Sequence, residues 1–411
     1  MINFKKIAAI CMATLCTITG VACTNQQKEP AAKQLDLERE VTVNVWYNDE
    51  TYTKYLEYVS KQFNNDNELV KINPVLVSEP DYLQYIYDES IRNDNACDVY
   101  LCSSDNLEEV YLRGLALPNT EFDKVYTEDI YGKAGLEASS YNEQLYGYPV
   151  TFDTAAFCYN KKYAEAVSSI SDIPSTDMEQ LKTVDGLAMP FAYDTGSFMT
   201  NFPFIGKYIS FEGNSIDNTN IYINDEASFK NSLTEYQKLR DRYGLARDAQ
   251  SASSYLDLFK QNKLAYGIFK ASEIVSIDKT VDFGVSEVPG LTADLTSKSL
   301  STTTMAIVNP YTQDIDCARA VAKAISYDYA ANLTPLTGLA TARGDVSKDA
   351  NLIRLHEIYS NSMVKPVYTG IDEIFAQYEI MLHKIWDQED VNTAYDSFKA
   401  VVSKYTKTNA E

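Results

Sequence analysis

The sequence predicts an α/β protein folded as two lobes around a central cleft. Three observations carry that expectation. From Val41 onward, short β-branched runs alternate with amphipathic helices, the pattern of parallel strands joined by right-handed crossovers. A chain of 411 residues, 45% hydrophobic and 23% charged, exceeds what one ordinary core accommodates. Finally, residues 146–162, YGYPVTFDTAAFCYNKK, have the make-up of a strand leaving one lobe and entering another. Gly147 allows a tight path there, Pro149 biases its predecessor toward extended geometry, and Asp153 interrupts an otherwise apolar run.

The N-terminus, MINFKKIAAICMATLCTITGVAC, sets Lys5 and Lys6 before an apolar run ending in small residues, which predicts a secretory signal over residues 1–22. Gly20, Val21, Ala22 and Cys23 resemble the lipobox of bacterial lipoproteins, implying lipidation of Cys23. The polar tract over residues 23–39 then serves as a flexible tether between anchor and folded body. Contact with the membrane is expected through that lipid alone.

Charge and cysteine usage exclude several function classes. A net charge of −22 repels nucleic acid and anionic lipid. Outside the export segment only Cys97, Cys102, Cys158 and Cys317 remain. The first two are five residues apart on a loop running into a strand, about 16 Å if extended, too far for a bridge. No CxxC is present, and His356 and His383 are too distant in sequence to form a helical ligand pair, so neither a metal nor any other cofactor is expected.

Along the chain, residues 41–47 predict the first strand and residues 52–63 an amphipathic helix with Tyr55, Val59 and Phe63 on one face. A strand over 70–77, a helix over 81–92, a strand over 98–101 and a helix over 107–113 follow. In such sheets a ligand lies outside the carboxyl ends of the strands, which singles out Asn48, Asp49 and Glu50 after the first strand and Ser103, Ser104 and Asp105 after the third. The same residue types cap helices and make turns. Beyond the crossover, residues 164–182 carry a helix pattern interrupted by Pro174; helices are expected over 224–243, 254–261 and 316–326, strands over 283–289 and 299–310, and the last helices from about Asn351 to Tyr405.

The crossover wording, YG-x-P-x-x-x-(D/E)-x-x-x-x-x-YNK, resembles the first inter-lobe crossover of the extracellular solute-binding proteins of ABC importers, in particular the maltodextrin- and sugar-binding family. Further segments resemble that family: LAMPFAYDTGSFMTNFPFIGKYI and NKLAYGIFKASEI, which approach the cleft from the second lobe; SLSTTTMAIVNP, the return crossover; and LTGLATARGDV, before the last helices. The resemblance spans residues 41–404. It implies a two-lobed periplasmic-binding-protein type II fold with discontinuous lobes, residues 40–152 with 301–343 and residues 153–300 with 344–406. It also implies a monomer that binds a small solute without covalent chemistry and passes it to the transmembrane subunits of an ABC permease.

Carried onto this chain, the resemblance nominates Asp153 on the crossover; Tyr193, Asp194 and Phe198 from the second lobe; Ser272, where maltodextrin binders often carry a stacking Trp; and Gln377 and Tyr378 near the last aromatic position. With Trp46 and Trp386 the only tryptophans, a long Trp-paved groove is not expected. The 31 tyrosines and the carboxylates favour a neutral mono- to short oligosaccharide, with a cationic or polyamine-like solute as the alternative. Two other function classes compete: an enzyme of the same fold using Cys102 as a cleft nucleophile, and a ligand-sensing lipoprotein.

Overall fold

The computed structural model describes residue 37 and residues 39–403, apart from 93–95, 123, 177–183, 213–219, 248 and 368–369. Residues 1–22, expected to form a secretory signal, and Cys23 lie outside the described residues. Strand β1 (Val41–Tyr47) leads to helix α1 (Thr53–Asp66), β2 (Val70–Leu76), α2 (Tyr82–Arg92), β3 (Val99–Ser103) and α3 (Leu107–Leu112). Strand β1 pairs parallel with both β2 and β3. Its alternating apolar side chains Val41, Val43 and Val45 are buried against α1. Trp46 faces the other side, stacked on Tyr85 with ring centroids 5.3 Å apart.

Two elements follow where the sequence shows only a Tyr-rich connection: α4 (Glu128–Ala138) and the hairpin β4 (Ser140–Tyr141) to β5 (Gln144–Leu145). Its two-residue turn holds Asn142 and Glu143 at φ 49° and 62°, the twist that tight hairpins need and that Gly more commonly supplies.

Strand β6 (Tyr148–Asn160) is the crossover. Just before it, a Cβ on Gly147 would collide with Met305 Sδ, so glycine is required there by close approach. The second lobe continues with β7 (Met189–Tyr193), the short helices α5 (Phe198–Asn201) and α6 (Pro203–Gly206), the hairpin β8 (Ile209–Glu212) to β9 (Asn220–Ile223), α7 (Glu226–Tyr243), α8 (Ala249–Lys260), β10 (Leu264–Lys270), α9 (Ala271–Ile274) and β11 (Phe283–Ser286). The chain returns along β12 (Leu300–Val308) into α10 (Ile315–Lys323) and α11 (Leu333–Thr337). It then passes through β13 (Ala340–Thr341), α12 (Ala350–Ser360) and β14 (Met363–Val364) to the closing helices α13 (Ile371–Trp386) and α14 (Val391–Val402).

The main sheet runs β2-β1-β3-β12-β6-β10-β7. The first half of β6 pairs with β12, from Tyr148↔Ala306 to Thr154↔Ser301; the second half pairs with β10, from Ala155↔Lys270 to Tyr159↔Tyr266. Strand β6 thus changes partner between Thr154 and Ala155. The buried apolar residues form three clusters, and Cys97, Cys102, Cys158 and Cys317 are buried and free. The helix expected over 164–182 does not form in its described part: Ser169 and Asp172 instead cap a single 3-10 turn, Ile170–Asp172. Among the described residues no helix is long and apolar enough to cross a membrane.

Candidate functional site

The site is built around Asp153, where β6 changes lobes. Its carboxylate accepts from Ser272 Oγ at 2.8 Å, from Ser272 N at 3.2 Å and from its neighbour Thr154 N at 3.0 Å. Ser272 sits in the first turn of α9, at the carboxyl end of β10, so these bonds tie the crossover to the second lobe. Burial raises the Asp153 pKa, and the bonds from Ser272 oppose that rise.

Charged groups converge on this point from both lobes. Glu273, beside Ser272, accepts from Lys270 N at 2.8 Å and is likewise raised, first by burial and then by the charges of Asp153 and Asp194. From the first lobe, the Tyr52 hydroxyl lies 2.6 Å from Thr151 Oγ1. Its pKa is pushed up to about 12 by burial, with Asp49 and Asp153 adding to the rise. Asp49, Asp153, Asp194, Ser272 and Glu273 therefore share one neighbourhood, with Lys270 as its cation.

A second cluster lines the gap between β3 and α13. Lys365 Nζ lies 2.5 Å from Asp372 and 3.5 Å from Asp105, so one ammonium group joins the strand-end turn of the first lobe to the start of α13. It also sits 5.8 Å from the centroid of the Phe375 ring. Phe375 stacks on Phe202 and Phe211 and meets Phe198 edge-on at 5.9 Å. Phe198 is half-buried and offers part of its ring to solvent.

Several nominated residues do other work. Tyr193 is fully buried, packed against Phe191, Phe204 and Trp386, because it occupies an inward position of β7. Tyr378 is fully buried against Phe398, since α13 turns that side of itself to the core. Neither presents a surface to a cleft, which corrects the expectation for both. Ser104 is also buried, and its Oγ accepts from Thr303 N at 3.1 Å, fastening β3 to β12. Ser103 accepts from Asp105 N, and Asp194 from Gly196 N, both as turn bonds. Asp49 caps the turn after β1 through Thr51 N at 2.9 Å, with Asn48 and Glu50 exposed beside it. Gln377 is half-buried on α13. Cys102 lies in the core with Tyr82 and Leu83, and burial pushes its thiol up to about 12, which disfavours the thiolate that a nucleophile needs.

Lys270, Glu273, Lys365 and Phe375 were not singled out from the sequence. Lys270 and Glu273 flank Ser272 with capping-box spacing, a signal within reach. Lys365 follows a two-residue strand and carries no periodic signal at all.

A carboxylate at the lobe boundary of a single β6, with polar strand ends from both lobes gathered around it, is the arrangement to set beside known proteins. The family of bacterial extracellular solute-binding proteins matches residues 47–326. The chain belongs to that family. A comparison with curated protein sequences gives no match. Among solved structures, an extracellular solute-binding protein from Staphylococcus aureus in complex with maltose aligns with a TM-score of 0.73 at 17% identity, covering 90% of this chain and 98% of that one. A cyclo/maltodextrin-binding protein complexed with maltotetraose gives 0.71 at 15% identity, covering 92% and 100%. The maltose-binding periplasmic protein of Listeria monocytogenes with maltose gives 0.70 at 16%, covering 90% and 99%. The solute-binding protein thus has the two-lobed fold of these neighbours over nearly its whole described body.

Proposed function

We propose that this solute-binding protein is exported, anchored through a lipid on Cys23, and captures a mono- to short oligosaccharide between its lobes for delivery to an ABC permease. The observation that carries this reading is the half-buried carboxylate of Asp153 at the lobe boundary, bonded to Ser272 of the second lobe and close to the Tyr52 hydroxyl of the first. Sugar hydroxyls bond carboxylates well, and the C–H faces of a pyranose rest on aromatic rings such as that of the half-buried Phe198. The structural neighbours were solved with maltose and maltotetraose, which supports the ligand class.

The mechanism follows from the strand pairing. A solute touching Asp49 or Asp105 from one lobe and Asp194 or Ser272 from the other makes its full set of contacts only when the lobes close. Its binding energy therefore shifts the population toward the closed form. That form is the one a permease distinguishes from the empty protein.

A second reading has its own observation: Asp49, Asp153, Asp194 and Glu273 outnumber Lys270 at the site, which favours a polyamine. Thermal unfolding against sugars and polyamines separates the two. A ligand at 100 times its Kd stabilises the folded state by about 2.7 kcal/mol, a rise of a few degrees. The carbohydrate reading expects that rise with a maltodextrin and its loss in Asp153→Ala, with the unliganded midpoint nearly unmoved. A rise with spermidine alone selects the polyamine, and no rise with either overturns both.

A further inference from the structure

The crossover strands have a second face, and lysines gather beside it. Phe152 and Asp153 point to opposite sides of β6 because successive strand residues alternate. On the Phe152 side, Tyr359 of α12 stacks on the Phe152 ring at 4.0 Å and its hydroxyl lies 2.6 Å from Thr303 Oγ1. The chain leaving α12 forms one wall of a groove of about 800 Å3, with α4 on one side and β8 on the other, and Lys365 and Phe211 of the second cluster line its edge. A smaller hollow of about 210 Å3 adjoins it through Lys298, Asn361 and Ser362, which line both.

Three lysines meet here, Lys133 on α4, Lys207 after α6 and Lys298 before β12; Glu137, Glu143 and Glu287 line the same hollows, as does Lys365, whose ammonium is paired with Asp105 and Asp372. In a chain with 36 basic and 58 acidic residues, such a gathering departs from the general surface. Among the described residues no carboxylate lies within ion-pair distance of any of the three. The ammonium of Lys298 is held below its usual pKa, by burial first and then by the charges of Lys207 and Lys133, against a smaller upward pull from Glu137. Most hydroxyls nearby are engaged: Ser362 Oγ lies 2.6 Å from Ser301 Oγ and 2.7 Å from Tyr359 O, Ser210 donates to Asn224 and Ser299 to Ala155 O, while Ser360 Oγ accepts from Lys133 N. The charged donors are ammonium groups, three N–H bonds each, which favour a charged ligand over a sugar-like pattern of hydroxyls.

We propose that this groove is a second binding site, for a small polyvalent anion bearing two or more phosphate or carboxylate groups, bridged between Lys133 of the first lobe and Lys207 and Lys298 of the second. A bridge behind the crossovers draws the lobes together on that side and so opens them on the Asp153 side. Anion and cleft solute are then reciprocal antagonists, a consequence that rests on the cleft reading, whereas the site itself does not.

Pyrophosphate is the probe, added to the full protein at constant ionic strength against sodium chloride. The unfolding midpoint rises by several degrees with pyrophosphate. Lys298→Met weakens the apparent affinity about tenfold or more, as expected for one charge-assisted contact. The triple variant Lys133→Met, Lys207→Met, Lys298→Met abolishes the response and keeps its unliganded midpoint, since Lys133 and Lys207 are exposed. A rise no larger than that given by sodium chloride, or an undiminished rise in the triple variant, overturns the site. Pyrophosphate binding that leaves the affinity for maltotriose unchanged overturns the antagonism.

Discussion

The two faces of β6 show how one strand serves two purposes. Toward α12 it is dry: Phe152 is 5% exposed, stacked on Tyr359 and edge-on to His356 at 6.1 Å. One residue later and on the other face, Asp153 spends its carboxylate on hydrogen bonds and electrostatic neighbours from both lobes. Packing on the first face fixes where the strand runs, and polarity on the second makes it useful. The difference teaches that stability and binding at this hinge are separable, although the residues responsible are adjacent.

That separation is open to attack by substitution. Phe152→Ala should have the largest effect, a loss of about 3–5 kcal/mol in denaturant-induced unfolding, because it leaves a cavity against Tyr359. Its affinity for a cleft ligand, measured on protein that is still folded, should stay within a few-fold. Asp153→Asn should do the reverse: ligand affinity falls at least tenfold, about 1.4 kcal/mol, by titration calorimetry, with little change in unliganded stability. If both variants lose affinity and stability in proportion, the faces are not separable. Lys365→Met breaks the tie between Asp105 and Asp372, both partly solvated, so it should cost about 1 kcal/mol or less and the loss should shrink with added salt.

The smallest effect sharpens the dry face. Burial lowers the pKa of His356, while its Nε2, 3.0 Å from Ala342 O, opposes the shift. The unfolded chain therefore binds the proton more readily, so this residue makes stability rise with pH through the histidine range and fall on acidification below 6.5. In His356→Gln the midpoint should fall less between pH 7.5 and pH 5.5 than in the native chain.

Much of this was legible in the residues themselves. The β-branched alternation of Val41–Tyr47 and the Gly147-Pro149-Asp153 pattern each mark a strand where one stands, and Asp153 and Ser272, both nominated by the sequence, are hydrogen-bonded to each other. Elements without a strong period were not legible: the hairpin turned by Asn142 and Glu143 lacks the glycine that marks such turns, and β8 and β9 are only four residues each. Over residues 164–182 the apolar spacing suggests a helix, but in the described part Ser169 pairs with Gly290 as an isolated β-bridge instead. The errors at the site were errors of direction. Tyr193 and Tyr378 lie on the right elements with their side chains facing inward, while Phe375, one turn before Tyr378, meets Phe198. Strand and helix patterns place an aromatic on an element, and tertiary packing decides which way it points.

The central claim is that a carbohydrate closes the lobes through Asp153. Small-angle scattering of the protein with and without saturating maltotriose tests it most directly. The radius of gyration should fall on adding sugar to the native chain and stay fixed in Asp153→Asn at the same concentration. Sugar that binds without compacting the protein, or compaction that survives in Asp153→Asn, would contradict it.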